Sequence, residues 1–140
     1  MELVGYTAGV FDMLHVGRIR LLEPARDRCD RLIADLTTDE LCQRRKNKTP
    51  IVPYADRAAV LRSLRCVDEV VPQEHMYHVD DWERLPFGTT LVGDGWQGTD
   101  SWRAYEQCFT RFGAEVVYFP CTDGVSSTLL RSRLQHSSAA

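Results

Sequence analysis

No apolar run in the chain approaches the roughly 20 residues that a membrane-spanning helix needs, so no membrane partner is expected. The opening stretch MELVGYTAGVFDML lacks the basic start of a signal peptide, and its pattern predicts a strand. Cysteine is odd in number and badly arranged for cross-linking. Cys29, Cys42, Cys66, Cys108 and Cys121 are five in number, with no C-x-x-C pair. That excludes a disulfide framework and a structural zinc site, and it fits a reducing cytoplasm. Basic excess is missing too. A net charge of -3 excludes nucleic acid as a bulk partner, although it leaves room for a local basic pocket.

What is present is ordinary for one folded domain. The 140 residues are 44% hydrophobic and 26% charged, enough to bury a core. Short β-branched runs alternate with longer amphipathic segments. The pattern predicts strands over Leu3–Ala8, Arg31–Thr37, Glu69–Val71, Thr90–Val92 and Glu115–Phe119. It predicts helices over Val16–Arg28, Tyr54–Leu64, Thr99–Phe112 and Ser126–Leu134, with a short helical turn at Asp80–Leu85. In the second of these helices Ala58, Leu61 and Leu64 share a face. Alternation of this kind implies an α/β domain: a five-stranded parallel sheet with helices on both faces. Residues 1–134 form that domain, and 135–140 read as a linker-like tail, compatible with a chain cut from a longer one.

Ligands of such sheets bind beyond the carboxyl ends of the strands. At the first junction Gly9-Val10-Phe11-Asp12-Met13-Leu14-His15-Val16-Gly17-Arg18 carries the chain from strand to helix. The helix start offers free N–H groups to a phosphate, Gly17 allows close approach, and His15 and Arg18 add donors. A buried turn with a capping Asp12 is the plainer alternative. After the second strand and the short Thr38-Asp39-Glu40 segment come Arg44, Arg45, Lys46 and Lys48, with Arg57 following. Gly93-Asp94-Gly95-Trp96-Gln97-Gly98 leaves the fourth strand, and Thr122 to Thr128 leaves the fifth into the last helix, where hydroxyls can meet a second phosphate group. Asp35, inside the second strand, reads as a carboxylate satisfied by local hydrogen bonds. His75 and His78 lack a third metal ligand and read as an exposed loop.

These four junctions, in this order, resemble the cytidylyltransferase superfamily over nearly the whole chain, from Val4 to about Leu134. Gly9, Phe11, Asp12, His15 and Gly17 match G-x-F-D-x-x-H-x-G-H, and Gly124 to Thr128 match the family's entry to the last helix. Arg18 stands in place of the second histidine, Gly95 in place of an aspartate, and Cys121 in place of an arginine. The resemblance implies a Rossmann-like nucleotidyltransferase fold and transfer of CMP from CTP to a small phosphate or phosphonate acceptor. The acceptor would be of the hydroxyalkyl phosphonate, glycerol phosphate, phosphocholine or phosphoethanolamine type.

By the same resemblance His15, Arg18 and Lys46 are the catalytic set. Gly9, Val10, Phe11, Gly17, Asp94, Trp96, Ser127 and Thr128 hold the nucleotide, while Lys46 and Arg57 hold the acceptor. Mg²⁺ is expected on the triphosphate itself, with no protein-built metal site. A homodimer and fusion to a further pathway domain are both compatible with it. An adenylyltransferase of the same superfamily, or a catalytically silent nucleotide-binding module, are the rival readings.

Overall fold

The computed structural model describes residues 2–75, 78–93 and 97–119. In chain order the elements are β1 (Val4–Gly9), α1 (Val16–Asp27), β2 (Arg31–Thr37), α2 (Asp39–Lys46), α3 (Tyr54–Arg62), β3 (Glu69–Gln73), α4 (His78–Arg84), β4 (Thr89–Gly93), α5 (Asp100–Arg111) and β5 (Glu115–Phe119). The strands form one sheet in the order β3-β2-β1-β4-β5, and every pairing is parallel. The expected α/β sheet with helices on both faces is what the chain builds.

Each face has its own core. On one, Leu32, Ala34 and Leu36 of β2, with Val70 and Leu91, meet Leu21, Leu22 and Ala25 of α1 and Ala58 and Leu61 of α3. On the other, Tyr6 packs with Phe87, Phe109 and Ala114, flanked by Trp82 of α4, Leu85 just after it and Tyr105 of α5. Phe87 stacks on Tyr6 at 4.6 Å and presents its edge to Phe109 at 5.4 Å. Six consecutive residues of β2 are buried, as suits an inner parallel strand covered on both sides. The winding reverses between β1 and β4, so the ligand crevice of such a fold lies at the carboxyl end of β1.

Several elements differ from the sequence pattern, each for a physical reason. The segment from Asp39 to Lys46 is a helix that hydrophobic periodicity did not predict, because its only buried residues are Leu41 and Cys42. Its caps carry it instead. The Thr38 hydroxyl accepts from the Leu41 N–H, Asp39 and Glu40 sit in the first turn, three cations sit in the last, and Asn47 closes it at φ 53°. The basic run therefore lies largely on α2 rather than in a loop. β3 continues through Pro72 to Gln73, which its position at the sheet margin permits, since a missing donor there costs little. His78 opens α4 rather than lying in an exposed loop, and that helix replaces the expected turn. The predicted helix at Ser126–Leu134 and the tail at 135–140 lie outside the described residues.

One buried cation joins the carboxyl ends of the strands. Arg57 is 2% exposed. Its Nε donates to Val52 O, its Nη1 to both Val10 O and Thr37 O, and its Nη2 to Asp39 Oδ1, all at 2.6–2.8 Å. Three carbonyls and one carboxylate from four segments thus meet on a single guanidinium. Replacing it by Met would strand those acceptors in a dry site. Arg57→Met is expected to destabilise the fold by about 3 kcal/mol or more, read as a lower urea midpoint at unchanged slope.

Candidate active site

The β1–α1 loop is held in a conformation that it would not choose alone. Phe11 and Met13 have φ of 50° and 49°, a left-handed region that L-residues other than glycine seldom occupy. Strain of this kind costs about 1–3 kcal/mol per residue and persists only where surroundings impose it. Here the surroundings are visible. Phe11 is buried in the first core. The Asp12 carboxylate accepts from the Ile51 N–H at 2.8 Å and the Val52 N–H at 2.9 Å, and Arg57 holds Val10 O. Gly9 has little room for a larger residue, because a Cβ there would sit 3.2 Å from the Phe11 ring. Asp12 is therefore a tie between the first junction and the segment before α3, not a helix cap.

The cap of α1 is His15. Its Nδ1 accepts from the Gly17 N–H at 3.1 Å, so Nδ1 carries no proton and the neutral ring keeps its hydrogen on Nε2. Unlike α2, α3, α4 and α5, α1 has no acidic side chain in its first turn. Arg18 occupies that turn, with its guanidinium 5.7 Å from the Phe11 ring centroid. The positive end of the helix is thus reinforced rather than compensated.

Positive groups crowd one another there. Partial burial lowers the His15 pKa, and the Arg18 charge lowers it further. The Lys46 pKa is lowered first by the atoms packed about its ammonium, then by the charges of Arg45, Lys48 and Arg18. The Arg18 charge thus acts on both groups. His15 caps α1 and Arg18 sits in its first turn, while Lys46, 28 residues beyond Arg18, ends α2 near enough for the Arg18 charge to act on it.

Arg57 does not join these residues. The acceptor-binding role expected for it is corrected by its burial and its four hydrogen bonds to Val52, Val10, Thr37 and Asp39. It positions the loop that carries His15 and the helix that carries Lys46. Asp94, Trp96, Ser127 and Thr128 of the expected site, together with Gly95 and Cys121, lie outside the described residues.

The sequence matches the family described as cytidylyltransferase-like over residues 6–133. The chain belongs to this family. It is a nucleotidyltransferase of the cytidylyltransferase class, and its five-stranded parallel sheet is the corresponding Rossmann-like fold. It is 36% identical over 129 residues to the glycerol-3-phosphate cytidylyltransferase of Staphylococcus aureus, covering 91% of this chain and 92% of that protein. Over 69 residues it is 52% identical to the bifunctional protein HldE of Acidiphilium cryptum, or 49% of this chain and 14% of that protein. The solved lipopolysaccharide core biosynthesis protein of Thermoplasma volcanium superposes with a TM-score of 0.71 at 21% identity, over 87% of this chain and 98% of that one. That likeness is one of fold.

Asp35 departs from expectation most. It is fully buried, and its partners are distant in sequence: the Tyr6 hydroxyl donates to Oδ2 at 2.5 Å and Arg84 Nη2 donates to the same oxygen at 2.9 Å. The Tyr6 oxygen also lies 3.0 Å from Asp81 Oδ2, and Arg84 reaches Asp81 Oδ1 at 3.4 Å. Burial holds the Asp35 pKa above the ordinary carboxylate range, against the pull of Tyr6 and Arg84. Burial, followed by the two aspartates, pushes the Tyr6 phenol up as well, so it is a donor at any physiological pH. The only advance signal of this cluster was a carboxylate inside an otherwise apolar strand.

His15 caps α1, and substitution can divide that job from the catalytic one expected of its Nε2. His15→Asn keeps a side-chain acceptor for the Gly17 N–H but loses Nε2, whereas His15→Ala loses both. Thermal melts are expected to show Ala about 1 kcal/mol less stable than Asn, the worth of an N-cap. Both variants are expected to have lost catalysis alike, because only the imidazole can present a donor at the Nε2 position.

Proposed function

We propose that the protein transfers CMP from CTP to a small phosphate or phosphonate acceptor and releases pyrophosphate. The observation that carries this reading is the signature junction of the family, with His15 capping α1 and Arg18 in a first turn that holds no acidic side chain, where a phosphate group would meet the helix start. An acceptor oxygen forms a bond to the α-phosphorus as the bond from that phosphorus to the bridging oxygen of pyrophosphate breaks. The acceptor is already an anion near neutral pH, so no protein nucleophile or base is required. Catalysis rests on alignment and on neutralising charge that moves to the leaving group.

In this reading His15 Nε2–H and Arg18 contact phosphate oxygens near the scissile bond. Arginine cannot give up a proton under these conditions, but it can donate two parallel hydrogen bonds. Lys46 reaches across from α2 to the acceptor anion and the α-phosphate. Gly9, Val10, Phe11 and Gly17 shape the nucleotide side through the backbone, with Asp94, Trp96, Ser127 and Thr128 as further contacts. Among the described residues no three His, Cys, Asp or Glu side chains gather to hold a metal. Mg²⁺ would arrive on the triphosphate, where it offsets phosphate charge.

A glycerol-phosphate-like acceptor is supported by the likeness to the Staphylococcus aureus enzyme. A cytoplasmic location is part of the proposal, in keeping with the free thiols of Cys29, Cys42, Cys66 and Cys108. So is fusion to a second activity, as in the bifunctional HldE protein. Among the described residues no helix is long and apolar enough to cross a membrane.

Calorimetric titration with the four nucleoside triphosphates is expected to rank CTP first; tighter binding of ATP would move the protein to the adenylyl-transferring side of the superfamily. Lys46→Ala is expected to lose about 1.5–3 kcal/mol of transition-state stabilisation, seen in kcat/KM, with little change in melting temperature. Arg18→Ala is expected to slow CMP transfer by about 10²–10³-fold. A parental rate in Arg18→Ala would remove that residue from the mechanism.

A further inference from the structure

Phe11 is held in place from several sides. Its backbone lies at φ 50°, in the left-handed region that a bulky L-residue occupies only under constraint. Its ring is 4% exposed and belongs to the first core. Gly9 leaves room for that ring: a Cβ at position 9 would lie 3.2 Å from its Cε2 and 3.5 Å from its Cδ2 and Cζ. Strained backbone of this kind clusters at functional sites, so what the ring touches on its other side matters. The guanidinium of Arg18 lies over it, with Cζ 5.7 Å from the ring centroid. That is inside the roughly 6 Å over which an aromatic face attracts a cation.

Arg18 itself is exposed. Its backbone is fixed by the helix, since its N–H donates to His15 O at 3.0 Å, but its side chain reaches outward from there. The signature residue at this position is a histidine, short and turned by two side-chain torsions. An arginine is longer, and ordering its free end costs conformational entropy. Putting arginine in that place therefore shifts the work of positioning onto a neighbour. A carboxylate could hold the guanidinium, but it would cancel the charge that a phosphate needs, and α1 has no acidic side chain in its first turn. An aromatic face attracts the cation without neutralising it, and leaves its N–H donors for an anion.

We propose that Phe11 is a positioning residue for Arg18, its ring holding the guanidinium beside the cap of α1 so that the donors are aimed before the nucleotide arrives. This rests on the transferase reading above, in which Arg18 contacts a phosphate oxygen near the scissile bond. The strained turn then has a use: it sets one ring both in the core and under the cation. Phe11 acts only through Arg18 in this role, and its effect on CTP disappears when the guanidinium is removed.

The test replaces Phe11 alone by phenylalanines bearing one, two and three ring fluorines, which drain the negative face while nearly keeping the shape. Calorimetric CTP affinity and kcat/KM for CMP transfer are measured for the series, in the parent and in Arg18→Ala, with thermal melts for the fold. One or both readouts are expected to fall stepwise in the parent, by about 2–5-fold in all, the worth of a cation over a ring at an exposed site. In Arg18→Ala the series is expected to be flat. Phe11→Leu, which keeps an apolar side chain but no ring, is expected to show the same 2–5-fold coupling to Arg18→Ala in a double-mutant cycle, about the conversion of 0.5–1 kcal/mol.

A flat series in the parent, an equal slope in both backgrounds, or an Arg18→Ala protein with parental affinity and rate would overturn the positioning role and leave the transferase reading standing. A stepwise fall in CTP affinity without CMP transfer to any acceptor would sink the transferase reading and leave the positioning role in place. Failure of the parent to bind CTP would overturn both.

Discussion

The structure depends on one guanidinium placed where four chain segments end. A sheet of parallel strands brings its carboxyl ends to one edge, but nothing in the sheet itself sets the loops beyond that edge. Arg57 does so by binding the carbonyls of Val10, Thr37 and Val52 and the carboxylate of Asp39. Asp12 completes the arrangement from the other side by accepting from Ile51 and Val52. The left-handed backbone at Phe11 and Met13 is tolerable because both ends of the loop are held. A buried charge is costly, and this one is offset by nearly complete hydrogen bonding rather than by a single counter-ion.

That scaffold separates the residues that hold the site from the residues that would touch a ligand. Arg57 and Asp12 face inward with their hydrogen-bonding capacity largely used. The Arg18 charge, in the first turn of α1, lowers the pKa both of His15 at the cap of that helix and of Lys46 at the end of α2. Repulsion of this sort is a cost in the free protein that an anion would remove. The substitution of arginine for the second signature histidine preserves charge in the first turn of α1 while giving up the capacity to release a proton. Direct transfer between phosphate oxygens makes no demand for that capacity.

How much of this was legible beforehand can be judged element by element. Alternation of β-branched runs with amphipathic stretches carried the sheet, because burial on both faces demands long apolar strands. It did not carry α2, which buries only two residues and is specified by caps and charge placement. Thr38, Asp39, Glu40 and the cations after Arg44 are the start and stop signals of that helix, so the information was present in a different form. The basic run drew attention as a ligand site, and that concealed its second role as the favourable end of a helix dipole. Arg57 was misread for a related reason: cations near a phosphate site invite assignment to the phosphate, and only burial shows which one has been taken out of solvent.

The amino-acid sequence by itself determined the α/β class, the five strands in their order along the chain, and the first junction as the candidate place of the chemistry. Those follow from local periodicity and from residues whose spacing is fixed by one turn of backbone. Tertiary structure decided the rest. It chose His15 over Asp12 as the cap of α1, brought Lys46 to Arg18 across a helix and a strand, and assigned Arg57 to the interior. It also joined Tyr6, Asp35, Asp81 and Arg84, residues as much as 78 positions apart, into one buried cluster. A single sequence shows which groups can ionise or donate. Which of them lose their water, and which partners they find in exchange, is set by how the layers of the sheet and helices close over one another.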